Sequence, residues 1–183
     1  MPDEVKAVHE RASCLFERRE VQAALDRLAA QVSDRLLHSN PILLCVMTGA
    51  IVTVAELARR LQFPLQIDYV HATRYGNSTR GAELQWLRHP SLALEKRTVL
   101  VVDDIFDQGI TLEQIVNYCQ RQGAAEVLSA VLVDKLHEHK QSSMQVNFVG
   151  LHCPDRYIYG YGMDYKGYLR NVDGIYAVAD VDL

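Results

Sequence analysis

The run VLVVDDIFDQGITL, residues 99–112, decides the reading of this chain. Four apolar residues in succession suit a strand buried on both faces, and such strands belong to parallel sheets covered by helices. The strand ends on two carboxylates, Asp103 and Asp104. Asp107 follows, and then Gly109 and Thr111 lead into a segment of helical character near residues 111–122 that Gly123 ends.

Outward from this run the same alternation repeats. Val21, Ala24, Leu25, Leu28, Val32 and Leu36 keep helical spacing, which predicts an amphipathic helix over about 20–38 that Asn40-Pro41 stops. ILLCVM (42–47) reads as a buried strand, Thr48-Gly49-Ala50 as a turn, and the following residues to about 61 as a second helix. LQIDYVHA (65–72), VLSAVLVDK (127–135) and VNFVGL (146–151) supply further strands. Strand–helix–strand order with apolar strands predicts an α/β domain whose central, mainly parallel sheet is flanked by helices. In such sheets ligands bind beyond the carboxyl ends of the strands, so the loops to inspect are 48–50, 103–111 and the residues after Lys135.

Composition narrows the function. A chain of 183 residues with 49% apolar and 23% charged residues matches a soluble globular domain. A net charge of −4 provides no broad basic face for nucleic acid or an anionic membrane. The start, MPDEVKAVHE, has neither the basic end nor the apolar run of a secretion signal. Cys14, Cys45, Cys119 and Cys153 are widely spaced without a CxxC pair, so reduced thiols and a cytoplasmic location are expected.

The chemistry of the acidic run follows from its residue types. Adjacent carboxylates offer acceptors for paired sugar hydroxyls or for a hydrated Mg²⁺. A loop opening a helix presents backbone N–H groups and the positive end of the helix dipole, which suits a phosphate. Gly109 lets the main chain come close to that anion, and Thr111 adds a hydroxyl. A helix cap with solvated aspartates is the plain alternative for any one of them, but not for three carboxylates so close together. A signalling receiver domain also carries an acidic pair after an apolar strand, though with far more chain after it than remains here. His137 and His139, flanking Glu138, lack the i, i+4 spacing of helical zinc sites and read as part of a solvated loop.

This run resembles the phosphoribosyl-diphosphate signature of type I phosphoribosyltransferases, and residues 41–178 resemble their hypoxanthine-guanine branch. The resemblance implies one domain over 1–183, with a core at about 38–150 and a small hood from about 1–37 and 151–183. Asp103 and Asp104 would then hold the ribose hydroxyls. Asp107, Gln108, Gly109, Ile110 and Thr111 would cradle the 5′-phosphate, with Asp107 also the candidate general base. Gln108 stands where the family usually has Thr or Ser, and Ile110 where many purine enzymes have Lys. CVMTGA (45–50) resembles the pyrophosphate loop, implying roles for Thr48 and Gly49 and a cis bond at Met47-Thr48. From that segment alone an ordinary turn through Gly49 is the simpler expectation. Thr48 replaces the Lys of several relatives, so Arg170, Arg74 and Mg²⁺ are the candidates to carry the pyrophosphate's countercharge. RYGNSTRGAE (74–83) resembles the mobile lid, with Arg74 and Tyr75. Two arginines and a tyrosine there also fit single-stranded RNA, a reading that the acidic net charge disfavours.

PDRYIYGYGMDYKGYLRN (154–171) resembles the base-binding segment. Tyr157 would stack on the purine, the Ile158 backbone would bond its edge, and Asp164 would bind Mg²⁺, with Asp103 and Asp104 as further metal candidates. Lys135 would read the 6-oxo group, since an ammonium only donates. Alternating Tyr157, Tyr159 and Tyr161 equally fit a plain strand with one aromatic face. The implied activity is Mg²⁺-dependent transfer of phosphoribose to hypoxanthine or guanine. Its partners would be a 6-oxopurine, phosphoribosyl diphosphate and further copies of the chain in a homodimer or homotetramer, without nucleic acid or membrane. Alternatives are a nucleotide-sensing regulator of the same fold that binds RNA or DNA, and an enzyme preferring xanthine.

Overall fold

The computed structural model describes residues 2–74 and 84–183. Helix α1 (Pro2–Arg11) and strand β1 (Ser13–Glu17) precede the long helix α2 (Arg18–Leu36). Then follow β2 (Ile42–Met47), α3 (Ile51–Arg60), β3 (Gln66–Arg74) and β4 (Leu84–Arg88). The second half runs β5 (Thr98–Phe106), α4 (Ile110–Arg121), β6 (Glu126–Leu136) and β7 (Phe148–Pro154). Short strands β8 (Ile158–Tyr159) and β9 (Gly174–Ala177) close the chain with a 3₁₀ turn at Asp180–Asp182.

Six strands form the main sheet in the order β4-β3-β2-β5-β6-β7. All neighbours are parallel except β3 and β4. Val99, Leu100, Val101 and Val102 are wholly buried, as their apolar run requires, and truncating one such Leu typically costs about 2–5 kcal/mol. Strand order reverses between β2 and β5: β2 crosses over to β3 on one side, while β5 crosses to β6 on the other. Right-handed crossovers in opposite directions put α3 and α4 on opposite faces and open a crevice at the carboxyl ends of β2 and β5.

Helix α2 turns Val21, Leu25, Leu28, Val32 and Leu36 inward, against β7 and α3. It begins earlier than its apolar spacing predicts because the Glu17 N–H donates to Glu20 Oε2 at 2.9 Å, fixing the first turn. Strand β7 begins later than predicted. Asn147 instead turns its side-chain oxygen to Ser129, accepting the backbone N–H at 2.9 Å and the hydroxyl at 3.1 Å. The segment that follows the edge strand β4 is tied down by Asp68, a buried carboxylate on β3 that accepts the N–H groups of Ser91 and Leu92 as well as that of Tyr69.

The terminal segments meet in a second, antiparallel sheet, β1-β9-β8. Tyr159 is fully buried there and bonds His9 Nδ1 of α1 at 2.8 Å. The plain aromatic strand over 157–161 is not formed: β8 spans two residues, and Tyr161 has φ +49°. No helix among the described residues is long and apolar enough to cross a membrane.

Candidate active site

At the end of β5, Asp103 and Asp104 are both buried, and the Asp104 N–H donates to Asp103 Oδ1 at 2.9 Å. Burial, and next the charge of Asp104, hold Asp103 well above the usual carboxylate range. Burial raises Asp104 as well, against the hydrogen bond with Asp103 and the positive charge of Arg170. The chain then bends at Gly109 (φ +83°) into α4. A Cβ there would lie 2.6 Å from the Phe106 ring, so both the left-handed conformation and the space demand glycine. Gly109, Thr111 and Leu112, at the N-terminal end of α4, border the same cleft as the aspartates.

The opposite wall comes from β2. The Met47-Thr48 peptide is cis, as the family resemblance implies and the simpler turn does not. Gly49 follows so closely on Asp104 that a Cβ would stand 1.9 Å from its Oδ2. Arg170 reaches in from the loop between β8 and β9. Its Nη1 donates to the Gly162 carbonyl at 2.6 Å and its Nη2 pairs with Asp164 Oδ1 at 2.7 Å. The Gly167 N–H donates to Asp164 Oδ2 at 2.6 Å. These groups enclose a cleft of about 330 Å³ lined by Gly49, Asp103, Asp104, Asp107, Gln108, Gly109, Thr111, Asp164 and Arg170. Thr48 is exposed, and Ile110 is the first residue of α4. Arg74 is the last residue of β3, and Tyr75 lies outside the described residues.

A second cleft of about 210 Å³ adjoins the first and shares Asp104, Ile105, Asp107 and Asp164 with it. Its other walls are Lys135, Tyr157, Ile158 and Met163. Lys135 Nζ donates to Asp107 Oδ2 at 3.4 Å and to Asp155 Oδ1 at 3.2 Å. That bond holds Asp155 below the ordinary carboxylate range. Tyr157 is partly exposed, its hydroxyl accepting the Lys166 N–H at 3.3 Å, while Ile158 is buried. Cys153 is no nucleophile here, since burial pushes its thiol up to about 11.

Two participants are absent from the sequence expectation. Asp155 joins through Lys135. His137 is not part of a solvated loop: its side chain is 6% exposed and its Nε2 lies 2.8 Å from Asp107 Oδ1. Nothing in the polar stretch LHEHK signals this, because Asp107 lies far away in sequence and only the β5–β6 pairing brings them together. Among the described residues, Asp107, His137 and Asp155 also form a cluster of metal-ligating types. The Lys135 ammonium already bridges its two carboxylates, which supplies the positive charge there.

Comparison with known proteins identifies the family of the fold. Residues 13–165 match the family described as phosphoribosyl transferase domain. The hypoxanthine-guanine-xanthine phosphoribosyltransferase of Tritrichomonas foetus is 31% identical over 158 residues, covering 86% of either chain. The hypoxanthine-guanine phosphoribosyltransferase of Bacillus subtilis (strain 168) is 28% identical over 165 residues, covering 90% of this chain and 91% of that one. Among solved structures, a hypoxanthine-guanine phosphoribosyltransferase from Bacillus anthracis superposes with a TM-score of 0.86 at 27% identity, over 91% of this chain and 98% of the other.

Proposed function

Because this chain belongs to the phosphoribosyl transferase family, we propose that it transfers the 5-phosphoribosyl group from phosphoribosyl diphosphate to N9 of hypoxanthine or guanine. The products are IMP or GMP and pyrophosphate, a purine-salvage reaction. The observation that carries this reading is the pair of clefts meeting at Asp107. One is lined by carboxylates and a helix N-terminus, and the other by a donor-only ammonium and an aromatic ring.

Asp103 and Asp104 accept the ribose hydroxyls, and the turn from Asp107 to Thr111 holds the 5′-phosphate. Thr48, Gly49 and Arg170 receive the pyrophosphate, the planar guanidinium pairing with its oxygens. Lys135 has three N–H donors, of which Asp107 and Asp155 take two, leaving one for the purine 6-oxo atom. Tyr157 stacks on the ring and the Ile158 main chain bonds its edge. As N9 forms its bond to C1′ and the bond from C1′ to the pyrophosphate oxygen breaks, the N7 proton passes to Asp107. Holding both reactants in line supplies much of the rate.

The donor set fits Mg²⁺. Asp103, Asp104 and Asp164 are hard oxygen ligands in one cleft, and the raised proton affinity of the first two marks a site with carboxylate charge to spare. When bound by them, the ion would neutralise charge on the departing pyrophosphate. Four free cysteines support a cytoplasmic location. Exposed Ile67, Tyr69 and Leu87 on β3 and β4 support a homodimer or homotetramer.

The test is pyrophosphate release from phosphoribosyl diphosphate with Mg²⁺ and a panel of hypoxanthine, guanine, xanthine and adenine. Oxopurines should turn over and adenine should not, and Asp107→Asn should lower kcat about 100-fold. No turnover of any base overturns the proposal.

A further inference from the structure

We infer that His137 is a positioning residue for Asp107, holding one carboxylate oxygen from behind so that the other is presented to the base. The inference rests on the phosphoribosyl-transfer reading and extends it to a residue that lines neither cleft.

The hydrogen bonds fix the imidazole's tautomer. The backbone N–H of His139 donates to His137 Nδ1 at 3.1 Å. A backbone N–H can only donate, so Nδ1 presents a lone pair and the ring proton of the neutral form sits on Nε2. That proton points at Asp107 Oδ1, 2.8 Å away. With Oδ1 engaged, the group free to rotate is reduced to one setting. Oδ2 lies on the Lys135 side, 3.4 Å from the ammonium that faces the base cleft. Asp107 itself is 43% exposed and has little packing to hold it. The buried ring provides the constraint that packing does not.

The loop carrying His137 is itself anchored to the phosphate loop. The carbonyl of Gln108, the residue after Asp107, accepts the N–H groups of Gln141 and Ser142 at 3.0 and 3.1 Å. Lys140 places its ammonium 4.5 Å from the centre of the Phe106 ring and pairs with Asp134. The main chain of Gln108 and the ring of Phe106, on either side of Asp107, are therefore tied to the segment that supplies the imidazole, and a fixed platform can orient a side chain where a drifting one cannot.

Three substitutions separate this role from packing. His137→Gln carries an amide N–H at about the reach of Nε2, His137→Asn carries the same amide at about the reach of Nδ1, and His137→Phe keeps the ring without the donor. Expected are a kcat about 10-fold lower for the Phe and Asn variants and within about threefold of wild type for Gln, all three keeping their KM for phosphoribosyl diphosphate within about twofold. Thermal unfolding of each variant reports folding separately. Equal losses in all three variants, a loss confined to KM, or a gain in kcat for His137→Phe would overturn the inference while wild-type turnover stands. A wild type that turns over no base removes the phosphoribosyl-transfer reading first, and this inference with it.

Discussion

The two clefts that meet at Asp107 are assembled differently. On the sugar-phosphate side, Asp103, Asp104, Gly109 and Thr111 come from one short run at the end of β5, and main-chain geometry alone brings them together. On the base side, Lys135 ends β6, Asp155 and Tyr157 follow β7, and Asp164 lies beyond β8. Charge differs too. The first side concentrates carboxylates, with Arg170 opposed to them; the second threads an ammonium between Asp107 and Asp155. A local motif can thus hold unbalanced charge ready for a ligand, whereas a site gathered from distant segments is balanced within itself.

The largest expected effect comes from breaking the first side without touching its charge. Gly49→Ala would drive a methyl group into Asp104, so kcat/KM for phosphoribosyl diphosphate should fall about 100-fold in steady-state assays. The KM for hypoxanthine should change little, and an equal rise in both would erase the distinction between the sides. Next in size, Lys135→Met should raise the KM for hypoxanthine about 30-fold and leave that for phosphoribosyl diphosphate nearly unchanged, because the site loses its donor to the 6-oxo atom.

The smallest effect is on stability. Burial and the neighbouring charge raise the proton affinity of Asp103, so between the unfolded and folded pKa values the folded chain binds more of this proton than the unfolded chain does. The stabilisation this provides is complete below the ordinary carboxylate pKa and is lost as pH rises through the folded value. Asp103→Asn removes that loss. Its Tm, followed by calorimetry without ligand, should exceed wild type by about 2–4 °C at neutral pH, and the gain should shrink toward pH 4.

The same contrast explains what could be read from the chain. Strand β5, its acidic end, Gly109 and the start of α4 are legible because one contiguous run carries apolar pattern, charge and turn chemistry together. Strands β2 and β6 announce themselves by continuous burial on two faces. The helix α1 and the short strands β1, β4, β8 and β9 do not, since brief antiparallel strands with one solvated face have too few residues to set a period. His137 was hidden for a related reason. Its signal is a partner across the sheet, and in a polar stretch a buried imidazole has the same neighbours in sequence as an exposed one. The cis peptide at Met47-Thr48 carries no local mark and follows only from the family likeness.

Asp104, Asp107 and Asp164 each border both clefts, so the two occupants share one wall. Whatever sits in one becomes part of the surface seen by the other. Thermodynamic reciprocity then requires that a purine tightening the grip on sugar phosphate be tightened by it to the same degree. Calorimetric titration of each molecule in the presence of the other would read that coupling directly.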